Sequence, residues 1–172
     1  QEAFDGSSRK LGLQQPEMGP DGRVHNTKRT LNIKIPKGVT EGQQIRLKGQ
    51  GSDGTAGGPK GDIYLEIHIS TQKPFDIDGK NVLLILPITP WEAALGGKVS
   101  VPTLAGNVEM NLPAGSQSGK KMRLKGRGLP GSTPGDQYIT LQIVMPDIKT
   151  DDDKQLFETM KAQMDFDPRS SL

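Results

Sequence analysis

The sequence has no cysteine. Disulfides, thiol catalysis and cysteine-ligated zinc are therefore excluded, and a reducing compartment is compatible with the chain. Aromatic residues are also scarce, at 4%, and hydrophobic residues make up only 32%. Any core is thin. Neither sign of charge dominates: 22 Lys and Arg stand against 20 Asp and Glu, a net +2. A surplus that small does not point to nucleic acid unless the cations cluster locally. No apolar run approaches the roughly 18 residues that a membrane helix needs. The longest, Val82 to Leu86, fits a buried strand. No signal peptide is visible, and a chain that begins at Gln1 reads as a fragment of a longer protein. At 172 residues it holds one ordinary domain or two small ones.

Glycine and proline are abundant instead, with 22 and 13 residues. They fall between apolar runs, so they read as turns rather than disorder. Their placement is periodic. GQQIRLKGQG, residues 42–51, returns as GKKMRLKGRG, residues 119–128. Pro36 and Gly38 match Pro113 and Gly115 at the same offset. After a shorter second loop, Gly61-Asp62 matches Gly135-Asp136. Upstream, QEAFDG (1–6) echoes WEAALGG (91–97). The chain is an internal duplication.

Within each copy the apolar residues alternate. Leu31, Ile33 and Ile35 are spaced by polar residues, as are Ile45 and Leu47, and then Ile63, Leu65, Ile67 and Ile69. A period of two marks half-buried strands. The expected fold is therefore mainly β. It comprises two tandem β-sandwich or partly closed barrel domains, at 1–72 and 73–148, with a short amphipathic helix and tail over 149–172. The E-A-x-x-G segments read as single helical turns stopped by glycine. PEMGPDGRVHN (16–26) reads as an extra loop in the first copy, with His25 in it. Near the end, Thr150 can cap a helix whose first turn carries Asp151, Asp152 and Asp153. Leu156, Phe157, Met160 and Met164 share one stripe of that helix. The stripe either packs on the second domain or makes a dimer contact.

GQGSDG (49–54) and GRGLPG (126–131) satisfy a dinucleotide-binding glycine pattern to the letter. That site requires a helix to follow, because the helix N-terminus holds the pyrophosphate. Here another strand follows, and Pro130 lacks an N–H. The glycines fit hairpin geometry better. His25 and His68 are too few and too far apart for a metal site, and no nucleophile pairs with either. Asp62 and Asp136 read as turn and strand-start residues. Neither an enzyme activity, a metal nor a cofactor is expected. In the second copy Lys121, Arg123 and Lys125 project to one face, flanked by Lys120 and Arg127. That stripe is either a solvated strand face that discourages edge pairing or a track for DNA phosphates.

The doubled IPKGVTEGQQIRLKGQG…GGPKGDIYLEIHI pattern, followed by PFDIDGKNVLLILPITPWEAALGGKVSVPTL, resembles the C-terminal substrate-binding region of DnaJ-type co-chaperones over essentially the whole chain. PWEAALG and the closing FDPR are most similar to the curved-DNA-binding members of that family. The resemblance implies two β-rich domains and a C-terminal helix that forms a homodimer. It implies a cytoplasmic protein, with no membrane association, that holds unfolded polypeptides and hands them to a DnaK-type ATPase chaperone. The alternative it carries is a nucleoid-associated module for curved double-stranded DNA. Two features of the wider family are missing from this chain. It has no His-Pro-Asp tripeptide of a J domain and no Cys-rich zinc module, which makes it a type B arrangement. The family's peptide groove matches Leu11, Leu13 and Leu65, which ordinary core packing would also accommodate. Its basic chaperone-tail site matches Arg9 and Lys28. The family's first strand would lie just before Gln1 and form one groove wall.

Overall fold

The computed structural model describes residues 1–18, 24–52, 54, 58–71 and 73–170. It is mainly β, with several small sheets and no closed barrel, and a helix near the C-terminus. The first copy runs α1 (Glu2–Asp5), β1 (Ser7–Met18), β2 (Val24–Ile35), β3 (Gln44–Leu47) and β4 (Ile63–Glu66). Two strands follow, β5 (Phe75–Asp78) and β6 (Asn81–Ile88). The second copy repeats the first order as α2 (Pro90–Leu95), β7 (Gly97–Thr103), β8 (Gly106–Leu112), β9 (Lys121–Leu124) and β10 (Gln137–Ile143). Helix α3 (Asp151–Gln163) comes last.

The pairings repeat as well. β1 pairs antiparallel with β2, and β7 with β8; β3 pairs with β4, and β9 with β10. The short helices have the expected stops, Gly6 at φ 72° and Gly96 at φ 71°. α2 also has a full capping box. Thr89 Oγ1 accepts from Glu92 N at 3.2 Å, and Glu92 Oε2 accepts from Thr89 N at 2.8 Å.

The copies differ in what closes their inner faces. β10 has a second neighbour, β6, which runs parallel to it from Val82 opposite Gln137 to Ile88 opposite Ile143. Beneath that four-stranded sheet, β5-β6-β10-β9, lies the main core, built from Leu84, Leu86, Val101, Leu112, Ile139 and Leu141 with their neighbours. Among the described residues β4 pairs only with β3. Among the first copy's described apolar side chains, only Ile33 and Val39 are buried.

One loop expectation is corrected. Residues 16–18 and 24–26 belong to the β1–β2 ribbon, so His25 is on a strand opposite Glu17 rather than in a loop. The insertion lengthens the ribbon, because antiparallel pairing outlasts the turn that ends its repeat at Thr103 and Gly106. Residues 19–23 of that expected loop lie outside the described residues.

Candidate functional site: an open apolar face and its basic surroundings

The repeated glycine segments form hairpin geometry. Gly42, Gly49, Gly119 and Gly126 all have positive φ, between 66° and 85°. Gly51 and Gly128 instead sit against the returning chain: a Cβ on Gly128 would lie 2.4 Å from the Lys80 carbonyl oxygen. A strand, not a helix, follows each loop, which removes the nucleotide reading.

The same loops contain a clamp. Asp62 Oδ1 accepts from Gly49 N at 2.7 Å, and its Oδ2 accepts from Arg46 Nε at 2.6 Å. In the second copy Asp136 Oδ1 accepts from Gly126 N at 2.7 Å, and Arg123 Nε lies 2.8 Å from its Oδ2. The Gly49 N–H, and then Arg46, hold the Asp62 carboxyl below the usual carboxylate range. Asp62 and Asp136 are thus hairpin braces. The sequence signal for them is the repeated R-x-x-G…G-D spacing. Loss of the brace should loosen the hairpin locally. With Asp136→Ala, the Gly126 amide should exchange with solvent at least about tenfold faster, because hydrogen bonds to charged groups contribute about 1.5–3 kcal/mol. Amides on β7 should keep their protection. Hydrogen-exchange NMR measures both.

A second brace differs between the copies. Glu41 Oε2 accepts from Ile69 N at 2.5 Å, and Oε1 lies 2.9 Å from His68 Nδ1. Its repeat is Ser118, whose Oγ accepts from Ile143 N at 2.8 Å. The Ile69 N–H, and then His68, lower the Glu41 carboxyl, while Glu41 raises the His68 imidazolium above its ordinary 6.5. A raised histidine stabilises the fold below its unfolded pKa, and that contribution is lost as pH rises through its folded pKa. A lowered carboxylate stabilises above its unfolded pKa, and that is lost as pH falls through its folded pKa. The pair therefore contributes most between the ordinary Glu and His values. An NMR titration should place His68 above 6.5, and Glu41→Gln should bring it back toward that value.

Leu11 and Leu13 share one face of the β1–β2 ribbon, and Leu65 lies in the separate β3–β4 sheet. Leu11 and Leu13 alternate on β1 opposite Leu31 and Arg29, and Leu65 on β4 faces Ile45. All three are half-buried. Their repeats, Val101, Thr103 and Ile139, are 0%, 7% and 0% exposed. A cleft of about 620 Å³, which none of the three leucines lines, is walled by Phe4, Val39, Ile67 and Ile69 from the first copy and by Ile77 and Leu129 from beyond it. The walls of this cleft come from segments distant in the sequence.

Arg9 and Lys28 are not brought together. Strand alternation puts Arg9 on the leucine face and Lys28 on the opposite one. Arg9 is also paired with Glu2. The cation beside Leu13 is Arg29. In the second copy Lys121 and Arg123 are exposed on the edge strand β9, with Lys120, Lys125 and Arg127 around them, and Asp136 holds Arg123. On α3, Leu156 and Met160 are exposed and Phe157 is half-buried; Met164, expected on the same helical stripe, is instead the exposed C-cap, where the backbone is extended. No residue of the helix is buried. Among the described residues no helix is long and apolar enough to cross a membrane.

Residues 1–146 match the DnaJ C terminal domain family. The "Curved DNA-binding protein" of Coxiella burnetii is 58% identical over 173 residues, covering 100% of this chain and 55% of that protein. The proteins of the same name in Escherichia fergusonii and Serratia proteamaculans are 50% and 49% identical over 143 residues. Those matches cover 82% of this chain and 47% and 46% of the two proteins. The chain spans about half the length of the curated relatives it matches.

Proposed function

Because the chain belongs to the DnaJ C-terminal domain family, we propose that it is the client-holding part of a co-chaperone. It binds non-native polypeptides and presents them to a DnaK-type ATPase chaperone, and it carries no catalytic step of its own. One observation carries this reading: Leu11, Leu13 and Leu65 stay half-buried where the second copy buries the same positions. An apolar face that a chain does not close on itself can take an extended apolar peptide, whose backbone bonds to strand edges give little sequence preference. Residues 1–72 form the binding unit, 73–148 the supporting one, and 149–172 join two copies into a homodimer. Arg9 flanks the leucine face and is the position for an acidic chaperone tail; Lys28 lies on the ribbon's other face and serves a tail only by wrapping over its edge. The test is suppression of aggregation of a denatured client by this chain, with loss of that activity when the leucine face is made polar.

A second reading is favoured by the relatives' name: the chain also binds double-stranded DNA, with the stripe of Lys120, Lys121, Arg123, Lys125 and Arg127 as one candidate surface. It predicts affinity that falls steeply with salt. That reading implies association with the nucleoid, and the co-chaperone reading implies the cytoplasm.

A further inference from the structure

The β1–β2 ribbon has two unlike faces. One carries Leu11, Leu13, Leu31 and Ile33. On the other, Ser8 faces Lys34, Lys10 faces Asn32, Gly12 faces Thr30, and Gln14 faces Lys28. Lys10, Lys28 and Lys34 are exposed, and among the described residues none of the three makes an ion pair. No acidic residue occupies any of these positions. The corresponding face of the second copy has one: Glu109 lies 3.3 Å from Lys98. The ribbon is also longer than its repeat by the insertion that brings in Gln14 and Lys28. β1 and β2 pair only with each other among the described residues, so the element is two strands wide.

We infer that this polar ribbon face is the principal surface for duplex DNA, an inference that rests on the DNA-binding reading above. The major groove is about 12 Å wide and admits a two-stranded ribbon. The outer lysines span six residues of strand, about 20 Å, and so reach several successive phosphates. Between them Asn32 and Gln14 carry amide groups of the kind that pair with adenine edges, and Gly12 leaves the middle of the face bare, with open space where a Cβ would stand. β9 is a poorer candidate. It is the edge of a four-stranded sheet, too broad for a groove, and Arg123 is held by Asp136.

The test is fluorescence anisotropy of the whole chain with an A-tract duplex of about 30 base pairs, at salt between about 50 and 200 mM. Lys10→Gln, Lys28→Gln and Lys34→Gln combined should weaken binding at least about tenfold and lower the salt slope by about three. Lys10→Arg, Lys28→Arg and Lys34→Arg combined should preserve binding, and circular dichroism melts should match for all variants. Lys121→Gln, Lys125→Gln and Arg127→Gln combined should weaken binding less than the ribbon variant does, and a larger loss than the ribbon variant's overturns the inference. A ribbon variant that binds like the parent overturns the inference while leaving DNA binding standing. A parent chain that binds no duplex overturns the DNA reading itself.

Discussion

Truncation after Ile148 is expected to turn a dimer into a monomer in sedimentation. α3 is well specified by its own sequence. Thr150 Oγ1 accepts from Asp153 N at 3.1 Å, and Asp153 Oδ2 accepts from Thr150 N at 2.9 Å. The Lys149 N–H, and then Thr150, hold the Asp153 carboxyl below its usual range. Yet the helix has 13 residues, and none is buried. Isolated helices of that length are marginal in water, and tertiary packing normally stabilises them. Its stripe is open, with Leu156 70% and Met160 47% exposed. Full burial of such side chains contributes about 1.5–3 kcal/mol each, against an association cost of about 4–15 kcal/mol. On the homodimer reading, Leu156, Phe157, Met160 and Met164 are the side chains that a second copy covers. Leu156→Asp should weaken the dimer at least about tenfold. A truncated chain that still sediments as a dimer would place the contact elsewhere.

The second large effect is on client holding. Leu11→Asp, Leu13→Asp and Leu65→Asp combined should abolish suppression of aggregation. The same positions are core in the second copy, so such changes can also destabilise the first. Leu13→Ser separates the two outcomes, because its repeat is Thr103, a polar residue accommodated at 7% exposure. Leu13→Ser should keep the folded β1–β2 amide pattern while holding activity falls several-fold. Unchanged activity in the triple variant, with the first copy intact, would remove the leucine face from the reading.

The duplication made most of the fold legible. Gly38, Gly42 and Gly49 recur as Gly115, Gly119 and Gly126 with the same positive φ, and Gly6 and Gly96 stop their helices as the E-A-x-x-G segments implied. Period-two alternation located β2, β3, β4 and their repeats. What alternation cannot say is how deeply a face is covered. Leu65 and Ile139 belong to the same pattern, but among the described residues only Ile139 has a strand such as β6 beside it. Nor does a strand's polar side reveal whether its charges are free. Arg123 and Lys125 look alike in sequence; Asp136, distant in sequence, engages only the arginine. Arg9 and Lys28 were separated by strand register, because one residue of offset moves a side chain to the opposite face.

The most direct measurement is NMR mapping of an unfolded, apolar client peptide on the isotopically labelled chain. Amide shifts concentrated on β1 and β4 around Leu11, Leu13 and Leu65, saturating with peptide, are the predicted result. Shifts confined to the second copy, or none at client concentrations where aggregation is suppressed, would contradict the account.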